Sequence, residues 1–396
     1  MASSAATIRL EGQGFAKAEP AAAIPRLHIW NWADCSDTEA LANWQNLAAC
    51  ASEPNPFFES WYLLPSLRAL DPQGRVSLLV LEQAGRWLGM MPLSREPNYY
   101  NYPVPQLRSW VHANCFLGAP LVAAGQERAF WLALLEWADA HAGAALFLHL
   151  THFPLSGPLH RALDEIVREQ GRTAALVHRE ERALLQSDLA PDAYLEAAMS
   201  GKKRKELRRQ HARLSEAGDL AFERRDDADG LTVWIDQFLN LEAAGWKGKA
   251  GSAIASAPET ETLLRESLAS AASHGKLERL TLTLNGSPIA MLANFICSPG
   301  SFSYKTAFDE TYSRFSPGVL IQRENLALLE REGIAWCDSC AAADHPMIDH
   351  IWRERRLIGR ISIAIGGGLR RAIFHQLARL ELARSNRGRR PTGVQT

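Results

Sequence analysis

The sequence predicts an α/β protein with two successive domains, each containing a mixed β-sheet flanked by helices. Its 396 residues suit two or three domains of ordinary size. Its composition, 47% hydrophobic and 22% charged, is typical of a globular chain with a substantial core. The order helices, hairpin, strand, helix, strand occurs twice, which indicates two domains of similar topology. We therefore predict a disordered, Ala- and Gly-rich tail at 1–25, a first domain at 26–187 and a second at 188–396.

The first half contains clear helix and hairpin signals. Asp37 or Ser36 is the expected cap of a first helix, and Asn55 before Pro56 begins a second. Two apolar runs joined at Gly85 predict a hairpin. An irregular aromatic stretch follows this hairpin. After it, the pattern predicts a helix at 127–142, a buried strand at 145–150, a helix at 158–170 and a strand at 173–186.

The second half repeats this order. Asn285-Gly286 is a strong hairpin turn between two apolar runs. Around it the sequence predicts a strand at 220–227, helices at 230–246 and 259–275, a strand at 301–309, a helix at 316–333 and a buried strand at 334–340. The chain ends with a basic helix that we expect to dock on the second domain, although it could also lie on a membrane surface.

The helix at 316–333 has a start that suits an anion. Ser316 is the expected N-cap, Pro317 occupies the first helical position, and Gly333 is placed to end the helix. In a β-α-β unit such a helix start lies at the carboxyl edge of the sheet, where free N–H groups favour negative charge. Gly318 leaves room for a ligand near the backbone, and Arg314 could contact a phosphate. An ordinary helix start is the alternative interpretation.

Five elements in order carry a resemblance to a known group. They are a basic helix at Lys203–Arg209, a Trp-Lys-Gly element at Trp246–Gly248, a hairpin at Leu277–Ile296, a strand at Tyr304–Asp309 and the helix start at Ser316–Gly318. With these elements the chain resembles GNAT-superfamily acyltransferases of the cellulose-biosynthesis acetyltransferase-like type, which are relatives of the Fem-type aminoacyltransferases. The resemblance is looser in the first half of the chain. Ordinary GNAT enzymes carry Arg/Gln-x-x-Gly-x-Gly/Ala at the phosphate loop, whereas this segment has one glycine and a proline.

The resemblance implies tandem GNAT-like domains and transfer of an acyl group from coenzyme A to an amine. Acyl-CoA would be a co-substrate, and no tightly bound cofactor or metal is expected. Trp246 and Lys247 would bind the donor together with Arg314, Ser316, Pro317 and Gly318. The first half lacks an equivalent of the Ser-Pro-Gly start, so a non-catalytic binding module with this fold is a further hypothesis.

Four residues are candidates for the chemistry. Glu242 ends a helix, and a carboxylate in an apolar cleft can accept a proton from an ammonium substrate. Tyr304 and Asp309 lie at a strand end, where α/β proteins commonly bind ligands. Tyr304 and Thr306 should share one face of that strand, and Tyr304 could protonate a leaving thiolate. His350 could titrate near neutral pH as a base. Structural roles are the alternative for each.

A basic helix, a pair of cysteines and the net charge indicate which partners the chain can bind. Seven Lys or Arg lie between Lys202 and Arg213, either as a solvated helix face or as a surface for CoA phosphates or anionic lipid. Cys337 and Cys340 alternate along a buried strand, which indicates packing rather than redox or zinc chemistry. The net charge of −1 and the absence of aromatics in the basic helix argue against nucleic acid.

The sequence is compatible with more than one kind of acyl acceptor. A lipid amine such as a sphingoid base would make the chain similar to bacterial ceramide synthases, and an exopolysaccharide or cellulose precursor is the alternative. Aminoacyl transfer from tRNA, as in the Fem group, is a third option. Because the start of the sequence lacks a basic flank followed by an apolar run, we expect a cytoplasmic protein, with peripheral contact at an anionic inner-membrane surface.

Overall fold

The computed structural model describes residues 24–388 except 36, 344 and 346. The tail predicted at 1–25 lies outside these residues apart from its last two, and the alternative cap Ser36 lies outside them as well. The first half contains helices α1 (Thr38–Ala49), α2 (Ser60–Leu70), α3 (Glu127–His141) and α4 (Gly157–Glu169). Its strands are β1 (Arg26–Asn31), β2 (Ser77–Gln83), β3 (Arg86–Glu96), β4 (Gln106–Ser109), β5 (Leu121–Val122), β6 (Phe147–Pro154) and β7 (Ala174–Leu185).

The second half repeats the alternation. Its helices are α5 (Pro191–Ala198), α6 (Gly201–Glu216), α7 (Leu231–Ala244), α8 (Trp246–Lys249), α9 (Pro258–Ser273), α10 (Pro317–Asn325) and α11 (Gly368–Gly388). Its strands are β8 (Leu220–Arg225), β9 (Leu277–Leu284), β10 (Ser287–Cys297), β11 (Gly300–Phe308), β12 (Trp336–Asp338) and β13 (Glu354–Ala364). The mixed α/β class predicted from the sequence is confirmed.

The described strands form one continuous mixed sheet. Its order is β1-β2-β3-β4-β6-β13-β7-β12-β11-β10-β9-β8, with β5 paired to β3. Parallel pairing occurs between β4 and β6 and between β11 and β12, and the other pairs are antiparallel. Each half thus contributes one parallel pair, as its strand-helix-strand order predicts.

The last strand crosses the division predicted at 187/188. β13 lies between β6 and β7, which both belong to the first half, and β7 in turn pairs with β12 of the second. Two independent sheets therefore do not exist within the described residues. Sequence periodicity could show that β13 is a strand, but not which neighbours would pair with it, because pairing is a long-range choice.

Several local predictions hold. Oδ1 of Asp37 accepts a hydrogen bond from Ala40 N at 2.7 Å and caps α1. Asn285 and Gly286 have φ of 52° and 76°, as a two-residue hairpin turn requires. Asn55 does cap a helical start, but that start is a short 3-10 turn, Pro56–Phe58, which is separate from α2.

The core joins both halves of the chain. Phe57 and Tyr62 of the first half pack edge-to-face on Phe295 of β10, with ring centroids 6.3 and 5.7 Å apart. All three side chains are fully buried in one large apolar cluster. The boundary between the halves is therefore a packed core, and side chains from both reach the same region of β11.

The C-terminal helix docks on the first half, so the expectation that it would dock on the second was wrong. Phe374 and Ala378 are buried against Phe147 of β6, and the Tyr99 hydroxyl donates to Oε1 of Glu381 at 2.6 Å. The reason is the insertion of β13, which delivers the chain to the first half's part of the sheet just before α11 begins.

Candidate active site

The two parallel strands of the second half separate along their length. β12 pairs with β11 only at Gly300–Phe302, and the rest of β11, residues 303–308, continues without this partner. A parallel pair that opens in this way leaves a cleft between its carboxyl ends, where α/β proteins commonly bind ligands. The residues around this part of β11 are therefore the candidate active site.

A bulge sets the direction of the side chains in the cleft. In the pairing of β10 with β11, Ala293 faces Lys305 and Asn294 faces Ser303, so Tyr304 is the extra residue. Tyr304 packs in the core shared with the first half, whereas Thr306 contacts Gln322 of α10. The expectation that Tyr304 and Thr306 share one face was therefore wrong, because the bulge reverses the alternation.

Lys305, which the sequence analysis did not select, lies at the centre of the cluster. Its side chain is partly buried, and Nζ donates to Oδ1 of Asn114 at 2.8 Å. Nζ also lies 5.1 Å from the ring centroid of Phe116 and 5.5 Å from that of Tyr304. Burial lowers the pKa of Lys305 to about 8, and the charge of Lys247 contributes in the same direction.

Glu242 is held by two hydrogen bonds. The residue is buried, Oε1 accepts from Lys247 Nζ at 2.7 Å, and Oε2 accepts from Ile254 N at 2.8 Å. The apolar cleft expected around this carboxylate is therefore absent, because a cation and a backbone amide face it. Glu242 nevertheless lies near Lys305, since its negative charge opposes the lowering of the Lys305 pKa.

Tyr304 is buried, and its hydroxyl belongs to a chain of hydrogen bonds. The Tyr62 hydroxyl donates to the backbone oxygen of Asn114 at 2.5 Å and lies 3.1 Å from the Tyr304 hydroxyl. Because the Tyr62 proton is used on that carbonyl, the Tyr304 hydroxyl donates to Tyr62. Burial raises the pKa of Tyr304 above its usual range. These contacts support a packing role, and the predicted role as a proton donor to thiolate stays a prediction.

The first half supplies a polar wall of the site. Asn114 accepts from Lys305 through its side chain and from Tyr62 through its backbone. The His112 ring stacks on Tyr62 with 8° between the planes, and burial lowers its pKa to about 3. His112 is therefore neutral at ordinary pH. The segment containing both residues follows β4, and the site lies between the two halves.

A short helix closes the outer end of β11. Glu310 accepts from Trp246 N at 2.6 Å and from Lys249 Nζ at 3.0 Å, which ties α8 to the end of the strand. Trp246 is 58% exposed, so its ring is free to contact a ligand. Lys247, on the same helix, forms the ion pair with Glu242. Trp246 and Lys247, two of the residues predicted to bind the donor, thus lie beside the cleft. Their role in donor binding stays a prediction.

The start of α10 differs from the prediction. Pro317 does occupy the first turn, but Ser316 has φ of 53° and its side chain makes no capping hydrogen bond. A Cβ on Gly318 would lie 2.4 Å from Sδ of Met347 and 3.1 Å from the ring of Phe308. The space expected beside Gly318 is therefore filled by side chains, and the predicted donor-binding role of Ser316, Pro317 and Gly318 stays a prediction.

The end of α10 also differs. The α-helix stops at Asn325 and continues as a 3-10 turn, Leu326–Glu330, so Gly333 lies beyond it. Asn325 is buried and its Oδ1 accepts from the Asn294 side chain at 2.7 Å. This contact with β10 is a tertiary interaction that helix periodicity cannot show.

A cationic cavity lies next to the helix start instead of on it. About 420 Å³ in volume, it is lined by α6 and the 3-10 turn before α10, through Glu206, Arg209, Gln210, Arg213, Glu216, Ala217, Arg314 and Phe315. Arg209 is paired with Glu206 at 2.6 Å, and the Arg314 guanidinium lies 4.6 Å from the Phe315 ring centroid. The basic helix and Arg314, which the sequence analysis treated separately, thus form one surface.

Two further candidates have other positions. Oδ1 of Asp309 accepts from Thr311 N at 2.8 Å and caps the 3-10 turn Glu310–Phe315, which is a structural role. His350 is exposed, and no contact among the described residues joins it to Lys305 or Glu242. Burial lowers the pKa of the nearby His345 ring, and the charge of Lys247 contributes in the same direction, so His345 lies closer to the cleft.

Neither a metal-binding cluster nor a membrane-spanning helix occurs among the described residues. The described residues contain no group of three or more His, Cys, Asp or Glu placed to hold a metal ion. Within the same part of the chain, every helix is too short or too polar to cross a bilayer. Cys337 and Cys340 are free thiols and both are buried.

Comparisons with known proteins agree with this fold. FemX matches with a TM-score of 0.53 at 11% identity, over 85% of this chain and 98% of that one. A conserved protein of unknown function from Bacteroides thetaiotaomicron gives 0.52 at 12%, over 82% and 97%. The C-terminal domain of a putative lysylphosphatidylglycerol synthetase from Agrobacterium fabrum gives 0.52 at 12%, over 87% and 95%. These identities establish similarity of fold alone.

A family model provides the sequence-level comparison. Residues 201–345 match the model described as acetyltransferase (GNAT) domain, and no curated protein sequence matches the chain. The matched range begins at α6 and contains α7, β11, α10 and β12, so it includes Glu242, Lys305 and Arg314. Residues 201–345 are therefore similar to a GNAT acetyltransferase domain, and they lie within a larger fold that is similar to that of FemX.

Proposed function

We propose that this chain is an N-acyltransferase that moves an acyl group from acyl-coenzyme A to an amine in the cleft beside β11. The observation that carries the proposal is Lys305, a lysine with a lowered pKa at the point where the parallel strands separate. The match of this region to a GNAT domain supports acyl transfer as the reaction class.

Lys305 is proposed as the general base. With a pKa of about 8, a useful fraction of the side chain is neutral near pH 7 to 8 and can take a proton from an ammonium substrate. The neutral amine then attacks the thioester carbon and the C–S bond breaks. The second proton that the amine nitrogen loses goes to the thiolate, which leaves as free thiol. Asn114 fixes the position of Nζ through its side-chain oxygen.

Glu242 is assigned a positioning role in place of the base predicted from the sequence. Both of its oxygens already accept hydrogen bonds, so a proton from the substrate would have to displace one of them. Its charge keeps Lys247 in place and favours the protonated form of Lys305 after proton transfer.

The donor's phosphates are proposed to bind in the cavity between α6 and Arg314. The cavity lies one turn before α10, and two of its arginines, Arg213 and Arg314, form no ion pair within 4.0 Å with a carboxylate of the described residues. Planar guanidinium groups bind phosphate oxygens well. This placement replaces the helix start, where Met347 and Phe308 fill the space.

The acceptor is proposed to be a lipid amine, such as a sphingoid base, at a cytoplasmic membrane surface. An exopolysaccharide precursor is the alternative within the same chemistry. Aminoacyl transfer is a second candidate function, favoured by the fold shared with FemX and with a protein whose name denotes lysylphosphatidylglycerol synthesis. A binding module without activity is the remaining alternative.

The test is a thiol-release assay. Purified protein is incubated with acyl-CoAs of graded chain length and with sphingoid, sugar and simple alkyl amines, and free thiol is measured against Lys305→Met as the control. Amine-dependent thiol release by the wild type alone supports the proposal. Absence of release with every pair, together with consumption of an aminoacyl-tRNA, would favour the second candidate.

A further inference from the structure

Exposed apolar side chains are concentrated in one part of the described molecule. The described residues contain thirteen exposed large apolar side chains, and six of them belong to α11 and to one loop after β3. These six are Tyr100, Tyr102, Leu369, Ile373, Leu380 and Leu382. Scattered single exposed residues are ordinary, but a local concentration usually marks an interaction surface.

The loop and the helix enclose a common cavity. Its volume is about 350 Å³, and the walls are almost entirely apolar, formed by Tyr99, Tyr100, Tyr102, Val104, Phe147, Phe374, Leu377, Ala378, Leu380 and Glu381. The cavity opens beside Tyr100 and Leu380, which are 51% and 60% exposed. An open, apolar recess of this kind suits a hydrocarbon group.

α11 has apolar side chains on two different faces. One face holds Phe374 and Ala378 and docks on the sheet. The other holds Leu369, Ile373 and Leu380, at positions i, i+4 and i+11, which lie on one side of a helix. These three are 79%, 43% and 60% exposed. The second face therefore exposes an apolar stripe of three side chains, which Gln376 interrupts between Ile373 and Leu380.

Arginines occur near the stripe in the structure and beyond it in the sequence. Arg379 is exposed on α11, and the Arg360 guanidinium donates to the Tyr100 hydroxyl at 2.8 Å. After Glu381 the sequence contains four arginines, Arg384, Arg387, Arg389 and Arg390, and no acidic residue. An apolar stripe flanked by cations and tyrosines matches the boundary of an anionic bilayer, where tyrosine rings and arginine side chains are both favoured.

We propose that Tyr100, Tyr102 and the exposed stripe of α11 form a docking surface for an anionic phospholipid bilayer. The surface belongs to the first half's part of the sheet, so it goes beyond the proposed reaction and is tested without donor or acceptor. Nucleic acid would gain nothing from the apolar stripe. A second copy of the chain is the competing occupant, and the size-exclusion measurement below detects it.

The experiment is co-sedimentation of the full chain with vesicles. One preparation contains phosphatidylcholine alone and the other equal parts of phosphatidylcholine and phosphatidylglycerol, neither of which is an amine acceptor. We expect strong binding only to the anionic vesicles, weakened by added salt. The double variant Leu369→Ser with Leu380→Ser should lower the partition coefficient by about tenfold or more.

Matched controls separate this result from loss of folding. The double variant Leu189→Ser with Val233→Ser removes exposed apolar side chains elsewhere and should bind as the wild type does. Arg379→Glu should weaken binding to anionic vesicles in a salt-dependent way. Three results would each overturn the proposal. They are equal binding to both vesicle types, unchanged binding by the Leu369/Leu380 variant, and a dimer in size exclusion that the same variant abolishes. The vesicle result does not depend on whether the protein shows thiol-release activity.

Discussion

At the scale of single residues, Lys305 carries the chemistry that we propose. It stands inside a strand in which Tyr304 and Ala307 are buried, and its pKa is lowered to about 8. A charged residue flanked by core residues is a signal that the sequence does contain. The position of Lys305 could not be predicted from strand alternation. The bulge at Tyr304 reverses that alternation and brings Lys305 to the same side as Tyr304.

The first prediction concerns the acid-base role of Lys305. Lys305→Met should lower the rate of acyl transfer by about 100-fold or more, because a general base contributes roughly that factor. The wild-type rate should rise with pH through a midpoint near 8, since only the neutral amine accepts a proton. Initial rates measured across pH check both points. Lys305→Arg keeps the charge without a usable base, so an active arginine variant would contradict the role.

The second prediction concerns Asn114. Asn114→Asp places a carboxylate at the atom that now accepts from Lys305 Nζ at 2.8 Å. An opposite charge at this distance favours the protonated lysine, so the pKa should rise and the midpoint of the rate profile should move to higher pH by about one unit or more. Asn114→Ala is the matched control and lacks the charge. If the aspartate variant is active and its midpoint has not moved, Lys305 is not the group whose pKa sets the rate profile.

At the scale of elements, the start of α10 shows how a correct local signal can have another use. Ser316-Pro317-Gly318 does begin a helix, and Pro317 takes the position expected of it. The glycine, however, leaves room for Met347 and Phe308 instead of for a ligand. The sequence shows that space is needed at Gly318, and only the packing shows what fills it.

The third prediction tests this packing. Gly318→Ala should destabilise the protein by about 1–3 kcal/mol, because the added methyl would collide with Met347. In a Met347→Ala background the same change should cost about 1 kcal/mol less, since the closer of the two obstacles is gone and only Phe308 remains. Urea unfolding of the four proteins gives this coupling. Additive effects would mean that the two side chains do not meet.

The fourth prediction tests the cavity formed by α6 and the turn before α10. Arg213→Ala and Arg314→Ala should each raise KM for acyl-CoA by roughly tenfold with little change in kcat, because they remove charge-assisted phosphate contacts. Arg208→Ala removes an exposed arginine of α6 that does not line the cavity, and it should behave as the wild type does. If all three variants have the same KM, the phosphates bind elsewhere.

At the scale of the whole molecule, one sheet unites what the sequence suggested as two domains. β13 supplies hydrogen bonds to β6 on one side and to β7 on the other. Without it both of those strands would present open edges, which favour aggregation. The site depends on this arrangement too, since Asn114 comes from the first half and Lys305 from the second.

The fifth prediction follows from this topology. A chain that ends after Trp352 lacks β13 and α11 and should show no cooperative unfolding transition by circular dichroism. A chain that ends after Gly366 keeps β13 and should still fold, although it should be less stable because α11 covers part of the sheet. A cooperative transition in the shorter chain would show that the halves fold as independent sheets.

The sequence by itself determined what depends on near neighbours. Capping by Asp37, the Asn285-Gly286 turn, the order of helices and strands and the GNAT-like region could all be recognised, because each depends on short spacings. The tertiary structure alone decided the rest. The insertion of β13, the covered start of α10 and the meeting of Lys305 with Asn114 join residues far apart in the chain, and such pairs are chosen by sheet register and core packing.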